Sequence, residues 1–183
     1  MKKSILKVLG IAVVSGLSFT SCSSDGDNNG GTTPSTFVLD ENNFQGNITN
    51  GEVVLDAAKT YKLTGKLVVE NSAKLTIPAG TRIEGTNGTA YIAVAQGGQI
   101  FVNGTATNPV VMTSDKSIKA PGQWGGLVIC GKAPINKGIT ASAEVSDLTY
   151  GGSDANDNSG VVKYLRIEYS GFAYNSEKEF NGL

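Results

Sequence analysis

Leu67-Val-Val-Glu-Asn-Ser-Ala-Lys-Leu75-Thr-Ile77-Pro-Ala-Gly80-Thr-Arg-Ile83 and Ile92-Ala-Val-Ala-Gln-Gly-Gly-Gln-Ile100-Phe-Val102-Asn-Gly104 are two copies of one pattern. Leu67 corresponds to Ile92, Leu75 to Ile100 and Ile77 to Val102, each at a step of 25 residues. The second copy continues through Asn108-Pro-Val-Val-Met112. A fixed period of about 20–50 residues marks a solenoid, in which each unit buries its apolar side on its neighbours. Within each copy apolar and polar residues alternate, and the breaks are Pro, Gly and Asn, so the units are strands and turns. The expectation is an all-β coil.

Working outward, Phe37-Val-Leu39 and Phe44 read as a cap on the first turn of the coil, because a solenoid's terminal unit otherwise leaves apolar area bare. Val53-Val-Leu55 and Tyr61-Lys-Leu63 read as the next strands. Alternation predicts Leu75, Ile77 and Ile83 inward and Lys74, Thr76, Arg82 and Glu84 outward. Ile77-Pro78-Ala79-Gly80 has the letters of a type I turn. A third rung is predicted from Trp124-Gly-Gly-Leu127-Val-Ile129-Cys130, and a fourth over Val161 to Tyr169. About four rungs result. The proposed inward stacks are Leu67/Ile92/Leu127/Leu165 and Val69/Val94/Ile129/Ile167. The outward row Val68/Ala93/Val128/Arg166, with Glu70/Ala95/Cys130/Glu168 beside it, is apolar in its middle. That predicts a cover, such as the insertion from Ile135 to Thr149, or an interface.

Outside the repeats, the chain of 183 residues has 24 Gly and only 17% charged residues, which suits a turn-rich β protein. Met1-Lys-Lys followed by the short apolar run Val8 to Phe19 has the form of an export signal over residues 1–21, too short to span a bilayer. Removing it leaves 12 basic against 16 acidic residues. A mildly acidic chain without a basic stripe has no electrostatic footprint for nucleic acid. The absence of His removes the commonest neutral-pH acid/base. Residues 22–35 are polar and Gly-rich and read as a flexible linker. Within it Asp25-Gly-Asp27-Asn-Asn29-Gly30 opens like a calcium-binding loop but places Thr36 at the twelfth position, where the bidentate Glu is needed. The β-helix domain then covers residues 36–183.

Phe19-Thr-Ser-Cys22 resembles the lipobox of bacterial lipoproteins, which implies cleavage before Cys22 and its acylation. The phrases Leu55-Asp-Ala-Ala-Lys-Thr-Tyr61, Ala73-Lys-Leu-Thr-Ile-Pro-Ala-Gly80, Gly104-Thr-Ala-Thr-Asn-Pro109, Pro121-Gly-Gln-Trp-Gly-Gly-Leu-Val-Ile129 and Gly151-Gly-Ser-Asp-Ala-Asn-Asp-Asn-Ser-Gly160 resemble a family of Bacteroidetes surface lipoproteins. That resemblance covers about residues 46–183. It implies a right-handed parallel β-helix of the pectate-lyase type, lipid-anchored in the outer membrane at the cell surface or the periplasmic face. It implies no particular activity. Members are usually longer, so the resemblance also implies an N-terminal fragment lacking its C-terminal cap. The implied partners are the membrane, through the lipid, and a polysaccharide or an envelope protein.

For chemistry, Asp154 and Asp157 sit in an Asn/Asp-rich loop that offers oxygen ligands for Ca²⁺, while Asx turns at a corner explain the same letters. Tyr164, Arg166 and Glu168 fall on one face of the predicted fourth strand at period two. They are candidates for a carbohydrate groove, against the plainer reading of a solvated face with an Arg166–Glu168 pair. Trp124 between glycines is either a sugar platform or a corner packed on the coil. No cofactor and no catalytic set is recognisable. The reading is a lipid-anchored β-helix scaffold for binding or adhesion; the alternative is a polysaccharide lyase or hydrolase, or a remnant of one.

Overall fold

The computed structural model describes residues 33–183 apart from Val145. The export-signal reading, Cys22 and nearly all of the linker lie outside the described residues. Those described contain strands and turns and no helix. The strands stack in parallel into a coil with three sides. One side carries β1 (Phe44–Ile48), the second half of β3 (Thr60–Val69), β6 (Tyr91–Val94) and β9 (Leu127–Ile129). The next carries β2 (Glu52–Val54), β4 (Lys74–Pro78), β7 (Gln99–Asn103) and β12 (Gly160–Lys163). The third carries the first half of β3, β5 (Arg82–Gly85), β8 (Val110–Ser114) and β13 (Leu165–Ile167). The short pair β10 (Ala141–Ser142) and β11 (Thr149–Tyr150) is antiparallel and stands apart.

The repeat sets the register. Leu75 pairs with Ile100 and Ile77 with Val102, and all four are fully buried. Leu67 lies on Ile92 and Ile92 on Leu127; Val69, Val94 and Ile129 form the neighbouring column. Each Leu or Ile taken out of water contributes about 1.5–3 kcal/mol, so this spine is the main source of stability. The fourth members of both proposed stacks lie elsewhere. Leu165 pairs with Val110 and Ile167 with Met112, on the third side of the coil. After β9 the chain leaves the coil at Gly131 and returns at Gly160, so Val161 to Tyr169 completes the turn that β9 began and is not a further rung. The L-x-I lettering recurs on every side of this coil, in Leu127-Val-Ile129, Leu75-Thr-Ile77 and Leu165-Arg-Ile167, so spacing alone could not say which side a strand joins.

The corner after β4 also differs by one residue from expectation. Thr81 N–H donates to Pro78 O at 3.2 Å, and Gly80 takes φ +82° in the third position of that turn. Positive φ there is the mark of a type II turn, not type I. At the N-terminal end Phe37 and Leu39 pack on the core, and Phe44 lies 6.4 Å from Phe37 and 5.3 Å from Tyr61, ring centre to ring centre. Glu52 N–H donates to Thr33 O at 3.0 Å, so the chain already lies on the coil three residues before the expected start of the domain.

On the third side, Lys62 faces Glu84 across the ladder, and Arg82 Nε donates to Glu84 Oε1 at 2.7 Å. Burial alone would raise the Glu84 pKa, but hydrogen bonds and charge from Lys62 and Arg82 outweigh it and hold the carboxyl below its ordinary 4.5. A carboxylate whose pKa falls on folding stabilises the fold above its unfolded pKa, and the contribution disappears as pH drops through the folded value. Glu84→Gln is therefore expected to be less stable than the native chain at neutral pH and to converge with it in acid. Melting temperature against pH checks this; a gap that persists at low pH would contradict it.

Candidate functional site

On the outside of the first side, Val68, Ala93 and Val128 follow one another in register. Val68 is 2% exposed and Ala93 not at all. The cover comes mainly from the C-terminal segment. Phe180 and Phe172 pack on Tyr91 and Ala93, with Leu148 from the insertion beside them. The Tyr91 and Phe180 ring centres are 4.8 Å apart. Arg166 and Glu168, expected in this row, belong to the third side of the coil.

Two loops rise beside the covered patch. The first is the turn between β10 and β11, closed by Ala143 N–H to Leu148 O at 2.7 Å. Its root is clamped. Gln96 Nε2 donates to Gly131 O and Gly151 O, and Lys132 N–H donates to Asp157 Oδ2 at 2.8 Å. The second loop is closed by Tyr174 N–H to Lys178 O at 2.8 Å and by Asn175 Oδ1, which accepts the Glu177 and Lys178 N–H groups. Glu179 N–H donates to Glu144 Oε1 at 3.3 Å and ties the two loops together.

Between these loops and the coil lies a cleft of about 500 Å³. Its wall holds Lys66 and Tyr91, which are register partners on adjacent strands. Glu144 and Asp147 enter from the first loop, Tyr174 and Lys178 from the second. Tyr174 lines the cleft and is 59% exposed. Burial, with the Asp147 carboxylate adding to it, pushes the Tyr91 phenol up to about 12. That hydroxyl stays protonated across the physiological range and is available as a donor. The cleft thus combines an aromatic face, two carboxylates, two ammonium groups and a phenol, the mixture that fits a polyhydroxylated ligand.

The parallel three-sided coil agrees with a family match: residues 46–183 match the family described as a pectate-lyase-like β-helix domain. The chain belongs to this family. Neither the curated proteins nor the solved structures contain a match.

Within this β-helix the residues nominated from sequence are scattered. Trp124 is fully buried, with Nε1 donating to Glu168 O at 2.7 Å, so its ring has no face for a sugar and packs at a corner. Gly85 makes the room, since a Cβ there would stand 2.4 Å from Trp124 Cβ. Tyr164 is exposed but has φ +48° between β12 and β13, which takes it off the strand face that Arg166 and Glu168 share. Arg166 and Glu168 are paired with each other. Asp157 spends Oδ2 on the insertion root, and Asp154 Oδ1 accepts Asn156 N–H at 3.0 Å, an Asx turn. Among the described residues no group of three His, Cys, Asp or Glu side chains is placed to hold a metal. Cys130 is a free, buried thiol, pushed up in pKa by its burial. Lys66, Tyr91, Glu144, Asp147, Tyr174 and Lys178 were not legible as a set. No spacing rule joins them, because the loops that carry four of them lie outside the repeat.

Proposed function

We propose that this protein is exported on a signal over residues 1–21, lipid-anchored through Cys22 in the outer membrane, and binds polysaccharide in the Tyr91–Tyr174 cleft of its β-helix. The observation that carries the reading is the exposed Tyr174 in the lining of a cleft that also holds two carboxylates, Glu144 and Asp147, and two ammonium groups, Lys66 and Lys178. An aromatic ring offers the flat apolar face of a sugar a contact while charged groups around it bond the hydroxyls. No step of turnover is required. A carbohydrate-active enzyme, a lyase or hydrolase, is the second reading, and one observation favours it: Glu144 and Asp147 line the same cleft, and glycoside hydrolysis generally uses two carboxyl groups.

Retardation in gels containing pectin, alginate or host glycans tests binding. Tyr174→Ala is expected to weaken retention by about two- to tenfold, the equivalent of a single aromatic contact. No retardation in any glycan would sink the reading. New reducing ends or unsaturated products made by the native chain, and lost in Asp147→Asn, would instead establish the enzyme. For the anchor, Cys22→Ala should move the protein from the membrane fraction to the soluble one. Two or more acyl chains hold a protein stably where one is marginal, so retention of the variant in the membrane would contradict acylation at Cys22.

A further inference from the structure

Four charged residues of both signs line the Tyr91–Tyr174 cleft. Lys66 and Tyr91 are register partners on adjacent strands, so their backbones lie about 4.8 Å apart. The Asp147 carboxylate comes from the first loop close enough to act on the Tyr91 phenol. Tyr91 therefore has an ammonium group and a carboxylate as neighbours. Glu144 and Lys178 repeat the combination where the loops meet, since Glu144 Oε1 accepts the N–H of Glu179, the residue after Lys178. All four charged residues are exposed. Among the described residues none of them makes an ion pair, whereas Glu84 and Glu168 on the third side of the coil are both paired.

Resting on the reading of this cleft as a glycan site, we propose that its ligand is a polysaccharide whose repeat carries both a free amino group and an acidic group. Opposite charges that share a cleft without neutralising each other are free to be matched from outside. An all-acidic chain would gain Lys66 and Lys178 but bring its anions against Glu144 and Asp147, and a polycation would meet the reverse. A neutral chain would take water from four charges and return only hydroxyl contacts. A repeat with both signs matches all four, with amino groups at Asp147 and Glu144 and acidic groups at Lys66 and Lys178. The protonated Tyr91 hydroxyl donates to an acceptor between them. Tyr174 favours a sugar over a mixed-charge peptide, because its ring offers a flat apolar face for stacking.

The test uses the full chain in mild detergent and probes that differ in charge alone as far as possible. Partly N-deacetylated hyaluronan carries amino groups and carboxylates; hyaluronan carries only carboxylates, chitosan only amino groups, and dextran neither. The deacetylated form should bind about tenfold or more tighter than each of the other three, and the margin should shrink in high salt. Asp147→Asn should bring its binding close to that of hyaluronan, and Lys66→Gln close to that of chitosan. Lys74→Gln, on the second side of the coil, should change neither, and thermal unfolding should be unaltered in all three variants. Equal binding of the four glycans, or preference for hyaluronan, chitosan or dextran, would overturn the proposal and leave glycan binding standing. A margin that survives both Asp147→Asn and Lys66→Gln would overturn it as well, as would equally tight binding of a copolymer of lysine and glutamate. Binding of no glycan at all would remove the proposal together with the reading beneath it.

Discussion

Trp124→Ala is expected to lower the stability of the fold by about 3–5 kcal/mol, the usual cost of emptying a large aromatic site. Trp124 heads the fully buried side chains ranked by residue volume, and it stands at 0% exposure. Its Nε1 also satisfies the Glu168 carbonyl just past β13, a bond between two distant segments that alanine cannot replace. A bond of this kind adds about 0.5–1.5 kcal/mol. For a domain of this size, a loss of that order should lower the melting temperature by roughly 10 °C or more. Trp124→Phe, which keeps most of the volume and loses the donor, should fall in between. Thermal unfolding followed by circular dichroism is the measurement. If Trp124→Ala melted like the native chain while losing glycan retention, the packing role would be wrong and Trp124 would have to act as a ligand platform.

Gly160→Val carries the second large effect, and its cause is backbone, not side chain. Gly160 adopts φ +120° where the insertion re-enters the coil, and a Cβ there would stand 1.9 Å from Ile100 O. That carbonyl belongs to β7, the strand on which β12 stacks in register through Gly160 and Ile100. A β-branched residue meets two penalties at once. The left-handed conformation costs about 1–2 kcal/mol for an L-residue, and the forced shift of a packed neighbour costs about 1–3 kcal/mol. The expected result is a loss of roughly 3 kcal/mol or more, with the disruption concentrated in residues after Gly160. Hydrogen exchange should show β12 and β13 losing protection while β3 to β7 keep theirs. Uniform protection in the variant would contradict the close approach.

The coil itself was readable because its cause is periodic. Leu75, Ile77, Ile100 and Val102 alternate with polar residues at a constant step, and a stacked parallel coil requires that of its inward positions. Val161 to Tyr169 was misassigned for the same reason. Its letters are those of an inward-facing strand, and they do not record whether the preceding 28 residues closed a turn or interrupted one. Trp124 between glycines was ambiguous in sequence, since a ring needs small neighbours both to be reached by a ligand and to be buried. The Trp124 side chain under the main chain of Glu168, with Gly85 beneath it, decides for burial.

What the sequence determined unaided is the interior: short-range alternation and a constant period dictate which side chains turn inward, because those are local properties of the chain. The outside was decided only by the tertiary structure. Lys66 meets Tyr91 through strand stacking, and Glu144, Asp147, Tyr174 and Lys178 join them because two non-repeating loops fold back over one side of the coil. Loop placement depends on a few long-range contacts, the Gln96 clamp and the Glu179–Glu144 bond among them. Contacts of that kind leave no period in the sequence.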